Sequence, residues 1–287
     1  MRDPWSIRSG LAIYRFGRGE PILLMPGPHR FTRPGLPTTD ALIDGLTALP
    51  RDVITFDPPG SGRSTRPADL SMEEMHECAD EALDASGVSG AVDAVGHSMG
   101  GLAMLAYAIE RRERVRRLVL IGTGSGGPAY RKAPGALWNR SHPHFWHMAA
   151  LAILHIVWPR RGPEQMLNNF IRRESFCDAR LADFKKISAA DWFRPREGRT
   201  DWHRVADKLN YADRLAEVAS PTLILCGRRD PQYPPACSEE LARRIKNARV
   251  IYFEGSGHFP YIEESSPFWS AVGDFLAQEA SHPTPIG

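Results

Sequence analysis

The chain has few cysteines, no long hydrophobic run and almost no net charge. Only 4 cysteines occur among 287 residues, too few for a disulfide framework, and none has the C-x-x-C spacing of a zinc or redox site. The longest apolar stretch, residues 148–158, is shorter than the roughly 20 residues that cross a bilayer. Because the N-terminus also lacks a signal-peptide pattern, we expect a soluble, cytoplasmic protein that does not insert into membranes.

The charge balance argues against a polyanionic partner. Lys and Arg number 36 against 34 for Asp and Glu, a net charge of +2, so no general electrostatic attraction to nucleic acid is expected. Hydrophobic residues make up 42% of the chain, which is typical of a folded globular protein. The length suits one large domain or two small ones.

Short apolar runs alternate with helical patterns along most of the chain. Continuous apolar runs are typical of strands buried on both faces of a parallel sheet, and they occur at residues 22–25, 53–56, 91–95, 117–121, 222–226 and 250–253, after a leading hairpin near 6–8 and 12–16. Helical patterns occur at residues 39–49, 71–86, 102–112, 237–246 and 268–279. This alternation predicts an α/β fold with a doubly wound, mostly parallel sheet.

Residues 125–204 interrupt this alternation. They show no strand pattern and hold five of the 7 tryptophans. We predict a helical insertion here, between core segments 1–124 and 205–287. Aromatic side chains dominate the packing of small cores, so most of these tryptophans are expected to be structural. Trp138 and Trp146 are the candidates for substrate contact.

The sequence Gly96-His97-Ser98-Met99-Gly100 follows one predicted strand and precedes a helix. This G-x-S-x-G pattern is typical of a nucleophile held on a strained strand-to-helix turn, where small residues allow strand and helix to approach closely. The positive end of the helix dipole would favour negative charge at Ser98. The five residues alone are a weak signal, and their setting between strand and helix strengthens it.

Two later loops could supply the partners of Ser98. A serine hydroxyl needs a general base, and the base needs a third group to orient it. Asp230 and His258 each follow a predicted strand, and in open α/β sheets ligands bind at the carboxyl ends of strands. We therefore predict a catalytic triad of Ser98, Asp230 and His258.

The chain order serine, acid, histidine and four ordered motifs resemble the α/β-hydrolase superfamily over nearly the whole chain. Asp57-Pro-Pro-Gly-Ser-Gly-Arg-Ser64 is similar to the family's Asp-x-x-Gly-x-Gly-x-Ser turn; the others are the nucleophile turn, the Asp230 loop and the His258 loop with Glu264. The resemblance implies that the insertion is a lid. There is some similarity to proline iminopeptidases, although their Gly-Gly-Ser-Trp-Gly nucleophile turn is absent.

The resemblance also implies an oxyanion hole with two N–H donors. One is the amide of Met99, and the other lies in the loop after the third strand, where the family usually has His-Gly-x. Here that loop reads Met25-Pro-Gly-Pro-His29. The simplest register places Pro28, which has no N–H, at the donor position. We expect a shifted loop in which His29 donates.

Neither a cofactor nor a metal is predicted. Residues 122–127 match G-x-G-x-x-G, but a proline follows where a dinucleotide site needs a helix to begin. The histidines at positions 142, 144 and 147 have no carboxylate or cysteine nearby in the sequence, and Pro143 prevents a regular helical pair of ligands.

These features predict a serine hydrolase that cleaves an ester, thioester, lactone or amide of an apolar small molecule through an acyl-enzyme on Ser98. The superfamily that the chain resembles includes dehalogenases and epoxide hydrolases, which use aspartate at the nucleophile position. The serine at position 98 argues against these two branches. Aminopeptidase activity and hydrolysis of a carbon–carbon bond beside a carbonyl remain open. A receptor-like member of the fold without turnover and a natural-product lyase or cyclase also remain open. The sequence does not predict the oligomeric state.

Overall fold

A single eight-stranded sheet forms the centre of the molecule. The computed structural model describes residues 3–27, 34–67, 71–127, 129–158, 160–178 and 208–278. The strands are β1 (Ser6–Arg8), β2 (Leu11–Gly17), β3 (Glu20–Met25), β4 (Arg51–Phe56), β5 (Val92–His97), β6 (Val115–Ile121), β7 (Thr222–Gly227) and β8 (Ala248–Phe253). Their order is β1-β2-β4-β3-β5-β6-β7-β8.

The sheet is parallel from β4 to β8, and the leading hairpin is antiparallel. β2 pairs antiparallel with both β1 and β4, whereas the pairs from β3–β4 to β7–β8 are parallel. Every residue of β4, β5 and β7 is buried, because helices cover both faces of these strands. The predicted doubly wound α/β fold is therefore confirmed.

Helices pack on both faces of the sheet. The helices of the core are α1 (Pro37–Ala48), α2 (Met72–Ala85), α3 (Met99–Glu110), α7 (Pro235–Arg244), α8 (Pro260–Glu263) and α9 (Ser265–Ala277). One apolar cluster joins the sheet to α2, α3 and α7, for example through Met75, Leu105 and Leu241. A second cluster joins the opposite face to α1 and α9 through Leu42 and Phe275.

The segment between β6 and β7 contains α4 (Ala129–Lys132), α5 (Phe145–Val157) and α6 (Arg161–Glu174). We call this segment the β6–β7 insertion. Its helices lie where the sequence predicts helical structure, and residues 179–207 are outside the described chain. The division into core and insertion at residues 125 and 204 stays a prediction. Within the described ranges, no helix combines the length and the apolar character needed to cross a membrane.

Candidate active site

Ser98 occupies a strained turn between β5 and α3. Its φ of +56° lies in the left-handed region, which in the described chain only one other non-glycine residue, Ser9, enters. Such a conformation costs about 1–3 kcal/mol and persists only where surrounding bonds enforce it. Here the Ser98 N–H donates to the carbonyl of Ile121 at 2.9 Å, and its carbonyl accepts from the Thr123 hydroxyl at 2.7 Å.

The glycines flanking Ser98 are required by close backbone approach. A Cβ atom on Gly96 would lie 2.7 Å from the Cα of Gly101, and one on Gly100 would lie 2.5 Å from the carbonyl oxygen of Met25. Both distances are shorter than any van der Waals contact allows. The structure therefore accounts for the small residues on either side of the serine in physical terms.

Asp230 and His258 form a buried pair in the loops after β7 and β8. His258 Nδ1 lies 2.8 Å from Asp230 Oδ2. The other carboxylate oxygen, Oδ1, accepts the N–H groups of Gln232 at 2.8 Å and Tyr233 at 3.0 Å. Both members of the pair are 2% exposed. The carboxylate is thus fixed by its own loop and directed at the imidazole.

The pair and Ser98 meet around the end of β6. A Cβ atom on Gly122, the residue after β6, would lie 3.1 Å from Asp230 Oδ2 and 3.2 Å from His258 Nδ1. The residue before it, Ile121, accepts the N–H of Ser98. The carboxyl ends of β5, β7 and β8 therefore bring the three predicted residues to one edge of the sheet.

His97, the residue before Ser98, contacts the loop that carries His258. Its Nε2 donates to the carbonyl oxygen of His258 at 2.9 Å, and the two ring centroids are 4.6 Å apart. Because a carbonyl can only accept, Nε2 of His97 carries a hydrogen. This fits a structural role for His97.

The thiols near the site are poor alternative nucleophiles. Cys226 ends the buried run of β7, and Cys237 lies on α7. Burial raises the pKa of each thiol to about 12. Since the thiolate is the reactive form of cysteine, both sulfurs are unreactive at neutral pH.

The predicted oxyanion donors are only partly described. Met99 is the first residue of α3, where a backbone N–H has no acceptor within the helix. Pro28 and His29 lie outside the described residues, which end here at Gly27. The amide nitrogen of Gly27 is 3.1 Å from the position of a Cβ on Gly100. The loop after β3 therefore approaches the turn that carries Ser98.

Tyr233 is a site residue that sequence reasoning missed. Its ring lies nearly parallel to that of His258, with centroids 6.1 Å apart, and its hydroxyl donates to Met99 Sδ at 3.2 Å. Burial raises its pKa well above the ordinary value, so the hydroxyl stays protonated. The sequence signal that could have indicated it is its position three residues after Asp230, and in the structure its N–H bonds to that carboxylate.

The two candidate tryptophans differ in exposure. Trp138 is half-buried, with the Arg131 guanidinium 5.9 Å from its ring. Trp146, on α5, is 70% exposed, with Arg140 6.0 Å from its ring. Their substrate contacts stay predictions.

Glu263 joins the β6–β7 insertion to the loop that carries His258. One carboxylate oxygen accepts the N–H of Gly257 at 2.7 Å, and the other accepts that of Cys177, also at 2.7 Å. Beside it, the carbonyl of Ser175 accepts the N–H of His258 at 2.7 Å. The side chain of Glu264, which the sequence indicated, accepts from the N–H of Gly255 and the hydroxyl of Ser256. The backbone of the candidate catalytic loop, which carries His258, is therefore attached to the end of α6.

Replacing Glu263 with glutamine should loosen this attachment. An amide has one acceptor oxygen where the carboxylate has two, so the N–H of Gly257 or of Cys177 loses its partner. A buried unpaired donor costs about 1–3 kcal/mol, so hydrogen exchange of that amide should become about tenfold faster or more. Glu264→Gln is the matched control and should leave the Cys177 amide protected. Unchanged exchange at both amides in Glu263→Gln would contradict this role.

The same variant has a defined pH signature. Burial raises the pKa of Glu263 above its ordinary value of 4.5, although bonds from the backbone N–H groups of Gly257, Cys177 and Asp178 oppose the shift. An acid with a raised pKa in the folded state loses stability as the pH rises through that range. The wild type should therefore lose stability relative to Glu263→Gln as the pH rises above 4.5, measured by denaturant unfolding at several pH values.

The fold and this site define the chain as an α/β hydrolase, and comparisons with known proteins agree. A family model described as "alpha/beta hydrolase fold" matches residues 34–265. The 2-hydroxymuconate semialdehyde hydrolase of Pseudomonas sp. (strain CF600) is 31% identical over 271 residues, covering 93% of this chain and 90% of that protein.

Solved structures show the same fold. A hydrolase from Bacillus anthracis str. Sterne superposes with a TM-score of 0.76 at 21% identity, covering 92% of this chain and 94% of that one. A meta-cleavage product hydrolase from Pseudomonas fluorescens IP01 does so with a TM-score of 0.69 at 20% identity, covering 93% of each chain. The chain therefore belongs to the α/β-hydrolase family and is related over almost its full length to hydrolase enzymes. The predicted resemblance to this superfamily is confirmed.

Proposed function

We propose that the protein is a serine hydrolase whose nucleophile is Ser98. The observation that carries the proposal is the His258–Asp230 contact of 2.8 Å. Oδ1 of Asp230 is occupied by two backbone N–H groups, so Oδ2 accepts the hydrogen of His258 Nδ1. The lone pair of the imidazole is then on Nε2, where a general base needs it.

The reaction follows from these roles. Ser98 Oγ attacks the substrate carbonyl carbon while His258 takes the hydroxyl proton, and Asp230 stabilises the imidazolium. The N–H of Met99, with a second donor in the loop around His29, holds the negative oxygen. His258 returns its proton to the leaving group, and a water molecule activated by the same imidazole then releases the acyl group from Ser98.

The proposed substrate is an apolar small molecule with an ester, thioester, lactone or amide bond. We place residues 125–204 over the site as a lid, with Trp138 and Trp146 as candidate contacts. Support comes from the bonds between Cys177 and Glu263 and between Ser175 and His258, which attach this segment to the catalytic loop. The proposed chemistry requires no cofactor.

Hydrolysis of a carbon–carbon bond is the second candidate. It is favoured by the 31% identity to a hydrolase of 2-hydroxymuconate semialdehyde. That compound carries a carboxylate, an enol and an aldehyde but no ester or amide. Its hydrolysis therefore breaks a carbon–carbon bond beside a carbonyl group.

A fluorophosphonate probe, which reacts with activated serines, tests the nucleophile. Wild type should be labelled and Ser98→Ala should not. Ser125→Ala is a matched control from the next strand-end loop; its hydroxyl donates to Glu240 at 2.8 Å, and labelling should persist. No labelling of the wild type would favour a receptor-like protein without turnover.

A substrate panel then separates the bond types. Wild type and Ser98→Ala are incubated with p-nitrophenyl esters of increasing acyl length, a lactone and 2-hydroxymuconate semialdehyde in heavy-oxygen water. Mass spectrometry of the products shows which bond breaks. Heavy oxygen in the released acid supports hydrolysis, and cleavage or cyclisation without it would indicate a lyase or cyclase.

A further inference from the structure

Three metal-ligating side chains meet in the β6–β7 insertion, outside the triad. His142 and His144 precede α5, and Glu174 is the last residue of α6. One ligand atom from each lies within 4.8 Å of the other two. His144 Nδ1 and Glu174 Oε2 are 2.7 Å apart. The fold therefore supplies from α6 the carboxylate that is missing near these histidines in the sequence.

We propose that His142, His144 and Glu174 bind a divalent transition-metal ion, with zinc as the best match. Two imidazoles and one carboxylate form a donor set that zinc commonly accepts, leaving a fourth position for water. Zinc holds nitrogen and oxygen ligands at about 2.0–2.2 Å, which places neighbouring ligand atoms about 3.3–3.5 Å apart. The observed cluster reaches this spacing by side-chain adjustments of about an ångström.

The site is accessible and partly ordered without an ion. The His144 side chain is 56% exposed and that of Glu174 is 14% exposed, so an ion can enter from solvent. The Phe170 ring on α6 lies edge-on to His144 with centroids 6.3 Å apart, which limits the orientation of the imidazole.

Metal binding would change existing hydrogen bonds within the cluster, including one from the His144 backbone. The backbone N–H of His144 donates to His142 Nδ1 at 3.2 Å. A metal-bound neutral imidazole uses one nitrogen lone pair for the metal and carries hydrogen on the other nitrogen. Metal binding would therefore break this hydrogen bond, and the exposed N–H of His144 would donate to water instead.

The ion would brace the attachment of the insertion to the catalytic loop. Glu174 is followed directly by Ser175, whose carbonyl accepts the N–H of His258. A metal bond at Glu174 would tie this end of α6 to the segment before α5. We therefore expect the ion to stabilise the folded protein, since a ligand that binds only the folded state raises its stability.

Zinc titration of the chelator-treated full chain tests the site. Isothermal titration should show one equivalent of zinc bound, zinc should raise Tm, and cobalt(II) in its place should give a visible absorption band. His142→Ala keeps the His144–Glu174 hydrogen bond but removes a ligand, so it separates a metal site from a simple ion pair.

His142→Ala and Glu174→Gln should each weaken zinc binding by more than about 100-fold, since even outer-shell partners of a metal are worth 10–100-fold in affinity. His147→Ala is the matched control, because His147 lies in the same segment but outside the cluster, and it should bind zinc like the wild type. Circular dichroism verifies that each variant is folded. Absence of stoichiometric zinc binding in the wild type, or equal binding in His142→Ala, would overturn the proposal.

Discussion

Replacing Asp230 with asparagine should lower kcat by about 10⁴-fold with little change in fold. The asparagine oxygen can accept the N–H groups of Gln232 and Tyr233 that now bond Oδ1. Its NH₂ group then faces His258 Nδ1, where the carboxylate oxygen was. A donor facing Nδ1 forces that nitrogen to become the acceptor and moves the imidazole hydrogen to Nε2. The ring then cannot take the proton of Ser98.

Asp57→Asn is the matched control for this substitution. Asp57 is also a buried carboxylate at the end of a strand, 1% exposed, and it accepts from the Tyr14 hydroxyl and the Arg63 N–H at 2.8 and 2.7 Å. It precedes the serine in the chain and belongs to a structural turn. Steady-state kinetics per folded molecule should show near-normal kcat for Asp57→Asn. The opposite ranking of the two variants would show that the acid is assigned to the wrong residue.

The strands were predictable because burial on both faces of the sheet requires continuous apolar runs, which are visible in the sequence. The apolar runs of β4, β5 and β7 contain only buried residues. The helix boundaries differ from the prediction by up to three residues, as the helix after the serine shows. The helix after Ser98 begins at Met99, three residues before the predicted start. Gly100 and Gly101 are weak helix formers, but close packing around the turn overrides this local preference.

The three candidate triad residues could be located from the sequence because each follows a strand and their chain order is characteristic. The contacts of Glu263 and of the His144–Glu174 pair could not be predicted, because they form between segments distant in sequence. Glu263 bonds to Cys177, 86 residues away, and His144 contacts Glu174 across 30 residues. No local pattern identifies such partners. They become visible only when the β6–β7 insertion is placed against the histidine loop.

The run of charges at residues 111–117 also bonds to partners that are distant in sequence. Its composition predicts a solvated helix end that leads into a strand, and Arg111 and Arg114 bond to partly exposed acids of α2. Arg117 belongs to β6 and is only 7% exposed. Its guanidinium group bonds to Asp93, a fully buried carboxylate on the neighbouring strand β5.

Replacing Asp93 with alanine should destabilise the protein by about 3–5 kcal/mol. Asp93 is 0% exposed and accepts from Arg51 at 3.0 Å, Arg116 at 2.9 Å and Arg117 at 3.0 Å. Arg51 and Arg117 are themselves at most 8% exposed. Removing the single carboxylate would leave two buried guanidinium groups without their shared counter-charge. Denaturant unfolding, compared with the wild type, measures the loss.

The exposed pair of Arg228 and Glu254 provides the control for this measurement. Their nearest charged atoms are 3.1 Å apart, but the side chains are 39% and 72% exposed. Exposed ion pairs contribute about 0–1 kcal/mol because water screens them, so Glu254→Ala should change the free energy of unfolding by no more than this. Equal losses in Asp93→Ala and Glu254→Ala would contradict the buried cluster. A large loss in Asp93→Ala alone would indicate that the Asp93 carboxylate stabilises the buried guanidinium groups of Arg51 and Arg117.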